Sequence, residues 1–149
     1  MKIILSSLAV LLVSAFAVIA GDTPAEKAFV EKYKKAYEAG DKATLESFLY
    51  TEGAHPMALE FFKMMMTEGA GGKLDGIELV DLTPEELKEA AGTQDGPDGV
   101  KTKMPLKVTK KLKITTSTKD GSGSSSGSSS VLVAEHKGGF VIPVPAKVK

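Results

Sequence analysis

Apolar residues recur at three-and-four spacing through the first half of the chain and at every second position through much of the second. Ala25, Ala28, Phe29, Tyr33, Ala36 and Tyr37 trace one helix face. Thr23-Pro24-Ala25-Glu26 marks its start, with a hydroxyl N-cap, proline at the first helical position and a reciprocal glutamate, and Gly40 suits its left-handed exit. Asp41 then caps a short helix carrying Leu45, Phe48 and Leu49, and a third helix opens at Pro56 and carries Met57, Ala58, Phe61, Phe62 and Met65 toward Gly69. Beyond Gly69-Ala70-Gly71-Gly72, Lys73 to Leu82 reads as a strand, Thr83-Pro84-Glu85-Glu86 as a second capping box opening a two-turn helix, and Thr93 to Gly99 as a loop.

The longest alternation follows. Met104, Leu106, Val108, Leu112, Ile114 and Thr116 fall on one side, Lys101, Lys103, Lys107, Lys111, Lys113 and Lys119 on the other, and Lys110 alone breaks the pattern. At roughly 3.3 Å per residue such a strand is too long to stay flat, which predicts a bulge or bend near Thr109 and Lys110. Asp120 to Ser130 (DGSGSSSGSSS) reads as a flexible loop at 120–130, and Val131 to His136, Lys137-Gly138-Gly139 and Phe140 to Val148 as a closing hairpin. Helices first and strands afterwards predict an α+β fold, with N-terminal helices packed on one face of a curved antiparallel sheet, as a cone or roll.

The amino terminus carries an address. Lys2 precedes an apolar run, Leu8 to Ile19, broken only by Ser14, and Val18-Ile19-Ala20 places small residues where a signal peptidase reads. This predicts a signal peptide at 1–20 cleaved after Ala20, a single domain at 21–149, and a secreted or periplasmic product with no stable membrane span after cleavage. Ile3 to Ala20 is long enough to cross a bilayer, but its serines and the absence of a following lysine cluster favour cleavage.

Composition narrows the chemistry. The 149 residues include no cysteine, so no disulfide, thiol nucleophile or thiolate metal site is available, and no arginine, which makes sequence-specific nucleic-acid recognition a poor expectation. Residues 21–99 hold 8 lysines and 17 carboxylates, a net of −9, whereas 100–149 hold 10 lysines and 2 carboxylates, a net of +8. Such halves should attract one another, within the chain or between copies, so a homodimer through the sheet is an expectation.

Phe29-Val30-Glu31-Lys32-Tyr33, Ala39-Gly40-Asp41 followed by Leu45 and Phe48, and the closing Gly138-Gly139-Phe140-Val141-Ile142 resemble the nuclear transport factor 2-like superfamily of cone-shaped α+β domains, over most of residues 24–145. A cystatin-like roll is the nearest rival. The resemblance implies an apolar pocket between helices and sheet, in isomerases or dehydratases for some members and in non-catalytic binding or accessory domains for many. Ketosteroid-isomerase-like members direct an aspartate base and tyrosine donors into the cone. Here Tyr33 and Tyr37 are candidates for the donors, but no strand aspartate matches, and Asp41 is better read as an N-cap.

Among acid-base residues, His136 sits at a strand end, facing the core if Leu132 and Ala134 do, and His55 precedes Pro56 at a helix start, as a cap or turn residue. Asp95-Gly96-Pro97-Asp98-Gly99 fits consecutive turns better than a calcium loop, so no metal and no cofactor are expected. Phe61, Phe62, Met64, Met65 and Met66 cannot all face one core, which predicts that one or two line a cavity, meet a partner or stay exposed. Lys103, Lys107, Lys111 and Lys113 are candidates for anion binding or simply a solvated face that guards against strand aggregation. The expected function is an exported, non-catalytic small-molecule-binding or accessory domain, taking a small apolar molecule against Phe29, Tyr33, Tyr37, Phe61 and Met65. The alternative is an isomerase or dehydratase using Tyr33, Tyr37 and His136.

Overall fold

The computed structural model describes residues 19–20, 23–96, 98–120 and 123–148. Most of the expected leader, 1–18, and the expected new terminus at Gly21 lie outside the described residues. A two-residue strand β1 (Ile19–Ala20) precedes α1 (Pro24–Ala39). The capping box forms as its sequence requires: Thr23 Oγ1 accepts the Glu26 N–H at 3.2 Å and Glu26 Oε2 accepts the Thr23 N–H at 2.8 Å. Gly40 closes the helix at φ 67°, where a side chain would be strained. Asp41 caps α2 (Lys42–Glu46), followed by β2 (Leu49–Tyr50) and α3 (Pro56–Thr67).

After β3 (Leu74–Asp81) and α4 (Pro84–Ala90) come β4 (Gln94–Asp95), β5 (Lys101–Lys103), β6 (Val108–Asp120), β7 (Gly123–His136), β8 (Gly139–Pro143) and β9 (Ala146–Lys147). The large sheet has the order β1-β3-β6-β7-β8-β2, and β4-β5-β9 form a small second sheet. The four inner strands are antiparallel as expected, whereas the two-residue strands β1 and β2 add in parallel at the edges, making the sheet mixed. The fold is α+β, with the N-terminal helices on one face of the sheet.

Phe29, Val30 and Tyr33 of α1 bury against Ile77, Leu79, Leu112, Ile114, Val131 and Val133. Along β7 the alternate residues Leu132 and Ala134 point to the other face, where a smaller cluster gathers Leu82, Ala90 and Val108 with Met104 and Leu106 against them. This corrects the expectation that Met104, Leu106 and Val108 share a face with Leu112 and Ile114. The expected bulge is the reason: Val108 pairs with Ala134 and Lys110 with Val133, so Thr109 is an extra residue and reverses the facing of everything before it. Pro105, which has no N–H to give a ladder, sits in the break between β5 and β6.

The segment expected as a flexible loop at 120–130 is mostly strand. Ser124 to Ser130 pair with Lys119 to Lys113, because the backbone of β6 offers a ladder whether or not the partner has side chains to bury. Ser126 to Ser130 are exposed. The closing hairpin turns at Lys137 and Gly138, at φ 50° and 77°, and the final segment leaves the large sheet after Pro143 to supply β9.

Four lysines of the basic half pair with carboxylates of the acidic half within the chain. Lys101 meets Asp95 at 2.6 Å, Lys113 meets Glu78 at 2.9 Å, Lys111 is bonded to Glu86, and Lys110 bridges Glu26 and Asp81.

Candidate functional site

His55 joins three parts of the chain that are distant in sequence. As N-cap of α3 its Nδ1 accepts the Met57 N–H at 3.2 Å, while its backbone N–H donates to the Pro145 carbonyl at 2.9 Å. With Nδ1 an acceptor, Nε2 carries the proton and donates to the Asp98 carboxylate at 2.9 and 3.0 Å. The side chain is 1% exposed. Both ring nitrogens are thus engaged, and the imidazole is a staple between α3, the β4–β5 connection and the approach to β9. Asp98 is held below the usual carboxylate range: desolvation pushes it up, but the Val100 N–H and His55 together outweigh that.

The staple frames a groove. Thr51 to His55 turn through Gly53 at φ 69°, and Ala54 bridges to Ala146 of β9. With Pro56 at the start of α3 and Pro105 in the β5–β6 connection, Gly53, Ala54 and Ala146 floor an open groove of about 580 Å³, and Lys103 and Lys147 stand on its rim. Lys103 pairs with Ala146 and Thr102 with Lys147, so Lys103 shares the face of Ala146 while Lys147 leaves the opposite face of the β5–β9 ribbon. Among the described residues no ion pair engages Lys103, Lys107 or Lys147. An apolar lining with lysines at its edge suits a molecule with an apolar body and an anionic head. A second apolar groove of about 340 Å³ lies beside Pro105, between Leu87 and Ala90 of α4 and Leu106.

Of the residues expected to line an interior pocket, Phe29, Tyr33 and Tyr37 lie in the main core and Met65 packs partly against it, but Phe61 stands outside, 54% exposed. Phe29 also edges a surface groove of about 330 Å³ with Phe48, Phe140 and Lys32. Tyr33 Oη contacts Met66 Sδ at 3.9 Å and Tyr37 Oη donates weakly to the Glu68 carbonyl at 3.4 Å, their rings stacked at 6.4 Å. Burial raises both phenols above their ordinary range, aided by Tyr37 for Tyr33 and by the Glu68 carboxylate for Tyr37. His136 packs edge-on against Tyr50 at 4.9 Å, following the face of Ala134. Tyr33 and Tyr37 thus stack together in the main core, whereas His136 packs with Tyr50 and follows the face of Ala134. Lys111 and Lys113 are engaged by Glu86 and Glu78, whereas among the described residues no ion pair holds Lys103 or Lys107. Among the described residues no cluster of three metal-ligating side chains occurs.

Sequence reasoning placed His55 as a cap but missed its bond to Asp98, 43 residues away, because an aspartate between Pro97 and Gly99 is already explained by the turn. Ala54, Pro105, Ala146 and Lys147 carry no local signal, since they meet only through the small sheet. No family model, no curated protein and no solved structure matches the chain, so the functional argument rests on its own geometry.

Proposed function

We propose that this chain is a non-catalytic binding module for a small amphipathic anion, held in the groove with its apolar body on Pro56, Ala54, Pro105 and Ala146 and its acidic head on Lys103, with Lys147 reaching the groove from the other face of the β5–β9 ribbon. The observation that carries this reading is the apolar groove of about 580 Å³ rimmed by those two lysines. Its volume falls within the span of about 300 to 1,000 Å³ common for small-molecule sites. Lysine favours a charged head without demanding the flat bidentate geometry that arginine would impose, so a carboxylate or a sulfonate is served equally. The isomerase or dehydratase reading has less support, because it needs Tyr33, Tyr37 and His136 to act on one bound molecule. Export remains part of the proposal, on the strength of the leader pattern at 1–20.

Calorimetric titration with decanoate and with decanol tests it. Decanoate should bind more tightly than decanol, and Lys103→Glu/Lys147→Glu should weaken decanoate at least about tenfold while leaving decanol unchanged. Equal affinity for decanoate in parent and variant would overturn the assignment. For export, intact-mass measurement of the protein recovered outside the cytoplasm should find Gly21 at the amino terminus.

A further inference from the structure

The segment between β5 and β6 belongs to neither sheet and stands between two grooves. Lys103 shares the face of Ala146, whereas Thr102 is buried on the opposite face and Met104 packs with Leu82, Ala90 and Val108. The chain then bends at Pro105 and Leu106. At that bend Pro105 lines both the groove beside Lys103 and the smaller groove of about 340 Å³ beside α4. Proline carries no N–H, so an apolar chain laid across it leaves no backbone donor of that residue without a partner.

We propose that the binding groove extends across Pro105, and that its ligand is a long-chain amphipathic anion whose head lies on Lys103 and whose tail end lies against Leu87, Ala90 and Leu106. This inference rests on the groove reading above and adds the length of the ligand to it. Two features make the α4 groove a place for a tail rather than a site of its own. Its lining is apolar apart from Lys107, so it lacks the convergent polar groups that orient a separate ligand. Its volume also stands near the lower bound of about 300 Å³ for small-molecule sites, whereas the two grooves taken together approach the upper bound of about 1,000 Å³. Leu87 on its wall is 37% exposed, apolar surface that a bound chain removes from water.

Each methylene that passes from water into an apolar groove tightens binding by up to about fourfold. Tetradecanoate, whose chain is longer than that of decanoate, should therefore bind at least about tenfold more tightly once its end enters the α4 groove.

Calorimetric titration of both carboxylates, below the concentrations at which they form micelles, tests it. The parent should show that tenfold preference with a single tetradecanoate per chain. Leu87→Glu, which sets a charge on the wall of the α4 groove, should bring the two affinities within about threefold of each other while leaving decanoate unchanged and the circular dichroism intact. In the parent protein, a nitroxide near the tail end of bound tetradecanoate should broaden the amide resonances of Leu87 and Ala90. Broadening at Met57 and Phe61 instead, two tetradecanoates per chain, or equal affinity for the two carboxylates would overturn the extension. Decanoate that binds while tetradecanoate gains nothing leaves the groove assignment standing, whereas failure of both to bind removes the groove assignment as well.

Discussion

Lys110 Nζ stands 2.7 Å from Glu26 Oε1, tying the bulge of β6 to the first turn of α1. Glu26 is 3% exposed and also closes the capping box, so this contact compensates a buried charge. The same ammonium meets the exposed Asp81 at 2.6 Å. Asp81 first and then Glu26 hold the lysine above its ordinary range. Removing one partner of a buried pair takes away much of the compensation of the other, so Lys110→Ala should cost about 3 kcal/mol. Asp81→Asn, at the solvated end, should cost far less. Urea titration of both variants checks this, and equal losses would mean that Glu26 is not the partner that matters.

Leu112 is fully buried between the helices and the sheet, and Val108 lies across the bulge in the smaller cluster. Leu112→Ala should cost about 2 to 5 kcal/mol. Val108→Ala removes two carbon atoms from a cluster with fewer neighbours and should cost about 2 kcal/mol or less. A Val108 loss as large as that of Leu112 would indicate one continuous core, contrary to the reversal at Thr109.

The bulge also shows what the sequence could and could not reveal. Lys110 broke the alternation, and that single polar residue in an apolar row located the irregularity to within a residue. Its consequence, that Met104, Leu106 and Val108 cross to the other face, was hidden because alternation on either side of a bulge looks the same in one dimension. The helices were legible because capping is local: Thr23 with Glu26 and Thr83 with Glu86 form their boxes within a single turn. Ser124 to Ser130 were misread because serine and glycine lack strand propensity, whereas pairing there is imposed by β6. The groove was illegible for a third reason, since its walls come from residues near 55, 105 and 146 that only the tertiary fold brings together.

The staple at His55 can be divided by substitution. His55→Ala removes the cap, leaves Asp98 without its donor and opens a cavity at a buried position, and should cost about 2 to 3 kcal/mol. His55→Asn keeps a good cap but not the reach to Asp98, and should recover part of that loss. If the staple aligns the groove, decanoate affinity should follow the same order, parent above His55→Asn above His55→Ala. Identical stability for the two variants would mean that the bond to Asp98 dominates the cap.

Stability should fall on acidification for a definable reason. Glu38 is held below its ordinary range chiefly by Lys34, Glu86 by Lys111, and Asp41 by Thr44. A carboxylate depressed in the folded state is protonated first in the unfolded chain. Its contribution is therefore complete above the ordinary carboxylate range near about pH 4 and is lost as pH falls through the lower folded values. Lys110 has the opposite sign: its contribution is complete below about pH 10 and is lost as pH rises through its raised folded value. The urea midpoint should be flat between about pH 5 and 9 and fall below about pH 4, with a shallower acid limb in Glu86→Gln. A midpoint that rises on acidification below that point would contradict the assignment.

The serine-rich end of the β6–β7 ribbon should be dispensable. Ser117 pairs with Ser126, so residues 118–125 can be replaced by Asn-Gly, a two-residue connection whose twist matches an antiparallel pair. The side chains of Ser126 to Ser130 are exposed, so that part of the ribbon adds ladder bonds with little burial. Backbone groups released from such bonds return to water at small net cost, and a shorter connection loses less entropy on closure. The melting temperature should stay within about 4 °C of the parent, and decanoate binding should be unchanged, because Ala54, Pro105 and Ala146 lie on other segments. Differential scanning calorimetry decides it. A collapse of the transition would show that β6 needs the full length of β7 as its template, and that the serines hold the central strand in register.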